Sequence, residues 1–284
     1  DDDAANDDDA AGVDADADGF TDDVDCNDAD DEVYPGAPEA CWNGVDDDCD
    51  GVTDLEGTGD RYASFDNTVA VWTPSEAMGV PGAASSTIEL WLRVPGPASV
   101  ASQRSVVTML GDATGPLGPT LTQITVDPNG RPNLGAVSEG GNVATSSPEA
   151  TDVPPLGEWM HLAWISEPAA GRLRVFLNGE QAWSNTLPTD WGVVNASTAY
   201  WLGGDSANSP GVGDVDDLRI WSVARTQEQL QDAACRPLTD DERADLLLEH
   251  DFEEGFTPRM GTAATLTLEE NSINAFTAAH PWAD

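Results

Sequence analysis

The residues best suited to chemistry stand near the start, where residues 14–26 read DADADGFTDDVDC. A calcium ion takes about six to eight oxygen ligands, and a loop can deliver them as D-x-D-x-D-G: alternate carboxylates point one way and the glycine permits the sharp turn. Counted from Asp14 as position 1, Asp16 is position 3, Asp18 is 5, Gly19 is the turn, the Phe20 carbonyl is 7, Asp22 is 9 and Asp25 is 12. A thinner copy overlaps it, with Asp7, Asp9 and Asp18 at positions 1, 3 and 12 and Ala11 in the fifth slot. Asp28 lies just beyond, and a second dense run supplies Asp46, Asp48, Asp50, the Val52 carbonyl and Asp54 around Gly51. All are hard oxygen donors with no His or Met among them, a set that favours calcium, and several ions are expected. Nothing in the spacing leaves an open coordination position, so such ions are expected to hold structure: their binding free energy becomes folding free energy.

The charge pattern says why ions are needed. The first 60 residues hold 24 acidic side chains and no Lys or Arg, and the whole chain has a net charge of −42. The 11 basic residues are all Arg. Such a balance argues against nucleic acid as a partner, because phosphate backbones are bound by releasing counterions to Lys and Arg. A solvated acidic tail, a surface adapted to high salt and a cation-bound segment would each produce it. Asp outnumbers Glu roughly two to one. Glu is the better helix former and Asp the compact ligand of turns and loops, so the composition points to the third reading.

Residues 1–57 contain few large apolar side chains and cannot offset their chain entropy by burial alone. From residue 60 to 284 short alternating runs take over, rich in β-branched and aromatic residues and broken by Gly, Pro, Asn and Asp. They include 86–94, 105–110, 120–126, 159–165, 172–178, 198–204 and 216–221, with later strands at 245–251 and 264–268. Their spacing predicts an all-β, antiparallel two-sheet sandwich. Only 226–234 reads as a helix, with Thr226 as its cap. Four cysteines, Cys26, Cys41, Cys49 and Cys235, form an even set and point to two disulfides in an oxidising, extracellular compartment. Three pairings are possible, of which Cys26–Cys41 with Cys49–Cys235 is one; if all four pair, one bridge must reach Cys235. No apolar run approaches the ~20 residues of a membrane span. The chain begins without Met, as expected of a trimmed secreted protein.

Residues 25–54 resemble the MopE-type metal-binding repeat of bacterial surface proteins, on Cys26, Pro35-Gly36-Ala37, Glu39, Cys41, Gly44, Asp46 and Asp48-Cys49-Asp50-Gly51. Trp42-Asn43 departs from that pattern. The twelve-slot loop ending in Asp and followed by Cys is similar to the thrombospondin type 3 calcium repeat. Beyond it, RYASFDN (61–67), STIELWLRV (86–94), GEWMHLAWI (157–165) with GRLRVFLNGE (171–180), and GVGDVDDLRIWSVARTQEQLQ (211–231) resemble the laminin-G-like, concanavalin A-like jelly roll. That resemblance implies a further calcium ion near Asp66 and Asp216, with Asp205, Asp214 and Asp217 close by, and a loop rim that holds glycans or proteins. It also implies that Trp91, Trp159, Trp164, Trp201 and Trp221 are core residues, which leaves Trp72, Trp183 and Trp191 as ligand-contact candidates.

Glucanases use this fold with two carboxylates about 5 Å apart, commonly as E-x-D-x-E on one strand. No such triplet occurs, and none of His161, His250 and His280 belongs to an H-E-x-x-H motif. The expected function is therefore non-catalytic: a calcium-binding adhesion or recognition protein for glycans or surface proteins. A structural subunit of a calcium-assembled filament or matrix, forming homo-oligomers, is the alternative. An accessory module of a glycan hydrolase is a third.

Overall fold

The computed structural model describes residues 12–51 (38, 42 and 43 aside), 62–65, 70–74, 85–94, 104–110, 120–127, 131–137, 143–146, 155–187, 199–202, 213–252, 264–268 and 276–277. The chain divides into two compact units, Asp1–Glu56 and Gly57–Asp284.

The second unit is built of antiparallel strands. Its first sheet contains β1 (Tyr62–Phe65), β3 (Ser86–Arg93), β8 (Trp159–Glu167), β9 (Arg172–Leu177), β10 (Glu180–Thr186), β12 (Gly213–Trp221), β13 (Leu246–His250) and β15 (Phe276–Thr277). They run in the order β10-β9-β8-β3-β12-β1-β15, and β13 also pairs with β12. The second sheet holds β2 (Ala70–Pro74), β4 (Arg104–Leu110), β5 (Thr120–Val126), β6 (Pro132–Val137), β7 (Val143–Ser146), β11 (Ala199–Leu202) and β14 (Ala264–Leu268). Their order is β14-β2-β11-β4-β5-β6-β7. This is the two-layer sandwich that the strand spacing predicts.

Alternation along β3 and β8 sends Ile88, Leu90, Leu92, Leu162 and Trp164 into one core cluster, where they meet Val106, Ile124 and Val126 of the second sheet. The opposite face of the first sheet is also closed. Helix α1 (Gln227–Ala233) packs Leu230 against Ala163, Ile165 and Phe176, while Ala233 and Leu238 pack on Trp221 and Leu246. Thr226 caps α1 in a full capping box with Gln229. Between β9 and β10, Asn178 (φ 47°) and Gly179 (φ 72°) form the two-residue turn whose left-handed backbone matches the twist of a hairpin.

Strand β12 carries a bulge. Its register against β3 shifts between Asp216 and Arg219, and Asp217 takes φ 43°. The extra residue changes the phase of the strand, so Val215, Leu218 and Ile220 all reach the core. Arg219, 1% exposed, is left on the α1 side, where it donates to the carbonyls of Ala233 and Arg236 at the helix end.

The candidate metal centres

The first unit has too little apolar surface to fold around. Val33 and Ala37 are its buried hydrophobic residues among those described, and the Phe20 ring stacks on Tyr34 at 5.4 Å. Its backbone is tied instead by carboxylates. Asp14 Oδ1 accepts from the Ala17 N–H, Asp16 Oδ1 from Asp18, Asp18 Oδ1 from Phe20 and Asp25 Oδ1 from Asn27. Gly19 sits at φ 105° and Gly51 at 98°, the left-handed turns required at the sixth slot of each acidic run.

These bonds use one oxygen of each carboxylate and turn the other inward. Oxygens of Asp16, Asp18 and Asp25 lie within 4.8 Å of one another, as do oxygens of Asp14, Asp16 and Asp28, so Asp16 belongs to both groups. The Oδ2 atoms of Asp16, Asp18 and Asp25 are buried without a hydrogen-bond partner, and Asp25 as a whole is only 9% exposed. A buried carboxylate oxygen left unpaired is costly, and a divalent cation is the partner that this donor set fits. The Asp18 carboxyl is held above its ordinary range: the Phe20 N–H pulls it down, but burial and the charges of Asp16, Asp25 and Asp14 outweigh that bond.

A second group brings Glu39, Asp46 and Asp48 within 4.8 Å. Asp46 accepts from the N–H groups of Asp50 and Gly51, and Glu39 accepts from that of Asp48. Burial pushes the Asp48 carboxyl up, against the Asp50 N–H and with the charges of Asp50 and Asp46. Glu39 is the member of this group that a linear count of loop slots misses, because it arrives from a separate loop. Its place in PGAPEAC was the available signal.

Not every predicted ligand joins these groups. Asp22 is in none of these groups, and its Oδ1 accepts from the Val13 N–H. Asp50 is exposed and contributes its backbone N–H to the second group. Asp7, Asp9, Val52, Asp54, Asp66 and Trp191 lie outside the described residues, as does the side chain of Trp72 in β2.

The cysteine pairing Cys26–Cys41 is corrected: Cys26 is bonded to Cys49. Tyr34 and Gly36 donate to the Asp47 and Asp48 carbonyls, and this folding-back carries Cys49 to Cys26. Cys41 and Cys235 are disulfide-bonded as well, and no described cysteine is free.

In the sandwich, Asp216 is 1% exposed and its Oδ1 accepts from the Asp217 N–H. Asp214 pairs with Arg93, whose guanidinium lies 4.8 Å from both the Tyr62 and the Trp159 rings. Trp91, Trp164 and Trp221 are buried; Trp183 is half-buried and packs against the core. Under α1, Glu89 accepts from the Trp221 indole N–H at 2.8 Å, and His161 Nε2 lies 3.7 Å from Glu89. Burial, helped by Arg219, lowers His161 to about 3, so the contact joins a neutral imidazole to the carboxyl. Burial raises Glu89, with Arg219 and Arg225 opposing.

Two family models match the chain. The family model for the concanavalin A-like lectin/glucanases superfamily (laminin G type 3) matches residues 58–231. The "Putative metal-binding motif" model, Cu-binding MopE, matches residues 25–54. A search of the curated proteins returns no match. Among solved structures, a candidate carbohydrate-binding protein from Bacteroides ovatus aligns at 15% identity with a TM-score of 0.53, over 77% of this chain and 62% of that one. The chain thus spans less than two thirds of that relative. A heptameric SAP-like pentraxin from Limulus polyphemus aligns at 16% identity and TM-score 0.48, over 74% and 96% of the two chains. The binding domain of botulinum neurotoxin serotype G gives 10% and 0.44, over 53% and 36%.

Proposed function

Because the chain belongs to the concanavalin A-like lectin/glucanases superfamily, we propose that it is a non-catalytic, calcium-binding recognition protein of the extracellular surface, with residues 1–57 and 60–284 as its two domains. The observation that carries the calcium half is the convergence of three carboxylates whose buried Oδ2 atoms have no protein partner. Asp16, Asp18 and Asp25 would hold one ion, with Asp14 and Asp28 on the other side of Asp16, and Glu39, Asp46 and Asp48 would hold another. Bound calcium supplies countercharge there and rigidifies a segment too poor in hydrophobic residues to fold alone. Carboxylates without imidazole or thioether favour calcium over copper.

Binding is favoured over hydrolysis by what the acids of the first sheet touch. Glu89 is buried beneath α1 beside Trp221, Glu249 pairs with Arg243, and Asp214 pairs with Arg93. A retaining hydrolase needs two carboxylates about 5 Å apart that both reach the substrate. Glycans or surface proteins are the ligand class that a lectin-type sandwich suits, with Trp72, Trp183 and Trp191 as contact candidates. The disulfides fit an oxidising compartment. A glycan array probed with the chain in calcium and again after EDTA tests the reading. Calcium-dependent binding is expected; a blank array under both conditions overturns the glycan assignment.

A further inference from the structure

Asp25 lies between two features that chemistry usually keeps apart. One oxygen of its nine-tenths buried carboxylate is within 4.8 Å of the Asp16 and Asp18 oxygens, and one is within 4.8 Å of both Cys26 Sγ and Cys49 Sγ. The two sulfurs are bonded to each other, so they are not thiolate ligands. The bridge fixes the backbone that carries Asp25: Cys26 N–H donates to Cys49 Sγ at 3.2 Å, and the Asp46 carbonyl oxygen contacts Cys26 Sγ at 3.4 Å. Asp46 and Asp48, two members of the second acidic group, stand three residues and one residue before Cys49.

We propose that cation occupancy of Asp16–Asp18–Asp25 and the oxidation state of Cys26–Cys49 are linked through Asp25, so that the bound ion protects the bridge from thiol reductants. The inference rests on the calcium reading above. With the bridge closed, Asp25 is held one peptide bond from a fixed Cys26, and three carboxylates are in place for the ion. With the bridge open, Cys26 and its neighbour are released, and the ion must order them at its own cost. Calcium therefore binds the oxidised module more tightly, and by reciprocity favours oxidation by the same factor.

The redox step balances with a dithiol such as dithiothreitol. One reductant thiolate attacks a sulfur, the Sγ–Sγ bond breaks and a mixed disulfide forms; the second reductant thiolate then displaces the protein sulfur. Two electrons and two protons end on Cys26 and Cys49, and the reductant leaves as a cyclic disulfide.

The test equilibrates the full chain in dithiothreitol redox buffers, with saturating calcium or with EGTA. Free thiols are then alkylated and each cysteine is mapped by mass spectrometry. The expected result is a shift of at least about tenfold in the thiol–disulfide equilibrium of Cys26–Cys49 with calcium, equivalent to about 30 mV for two electrons, and not of Cys41 and Cys235. In Asp25→Asn the shift collapses, whereas in Asp22→Asn, which alters a residue outside all three acidic groups, it persists. The reciprocal measurement needs no variant: isothermal titration of reduced, alkylated chain gives calcium binding at least about tenfold weaker than the oxidised chain. If the oxidised chain binds calcium and the midpoint does not move, or all four cysteines shift together, the linkage is wrong and the calcium reading stands. If the oxidised chain binds no calcium, both fall.

Discussion

Asp22 and Asp25 stand three positions apart in one acidic run, and of the two it is Asp25 that belongs to a group of converging carboxylates. Both give one oxygen to a backbone N–H, Asp22 to Val13 and Asp25 to Asn27, and it is Asp25 that keeps its other oxygen buried and unpaired. Asp18→Asn is therefore expected to weaken calcium binding by at least tenfold, about 1.4 kcal/mol, and Asp22→Asn to change it little. Isothermal titration of the two variants checks this. Slot counting along the sequence found Asp14, Asp16, Asp18 and Asp25 because a single loop supplies them. Glu39 reaches its group from another loop and so is not decided by spacing, and Asp22, the ninth slot, stands outside the converging carboxylates.

At the scale of elements, strands with sustained alternation or aromatic residues were legible. The short or polar ones, β2, β6, β7, β10 and β15, were not. Strand β10 reads EQAWSNT and is largely exposed at a sheet edge, so no apolar period marks it. Strand β6 begins with Pro132 and contains Gly135, residues that ordinarily argue against a strand. Nor could alternation in β3 reveal that its polar face is closed by α1. Arg219 is the keystone of that closure, donating to the Ala233 carbonyl while balancing the charge near Glu89. Arg219→Ala should cost about 3–5 kcal/mol by stranding buried charge and helix-end carbonyls, measured by urea unfolding. His161 offers a pH signature. Its folded value of about 3 lies below the ordinary 6.5, so the unfolded chain takes up a proton first as pH falls. Stability from this group is present above about pH 6.5 and drains away toward pH 3. His161→Gln should flatten that part of the stability–pH curve, compared with the parent chain in denaturant melts.

For the whole molecule, the two units are stabilised by different means: the sandwich by a buried apolar cluster, the acidic unit by a bridge and, on the proposed reading, by ions. Raising calcium to a hundred times its Kd should stabilise the acidic unit by about 2.7 kcal/mol, seen as a shift in the near-ultraviolet signal of Tyr34, with EDTA reversing it. Among the described residues no helix is long and apolar enough to cross a membrane.

The Cys26–Cys49 bridge also has a mechanical meaning. Its two residues are 23 apart in sequence, and at about 3.4 Å per extended residue the enclosed segment holds roughly 75 Å of contour length. A pull applied across the acidic unit passes through the sulfur–sulfur bond and never reaches that slack. While the bridge is closed, a pull between the chain before Cys26 and the chain after Cys49 leaves that length unused; once it is opened, the same pull draws on it.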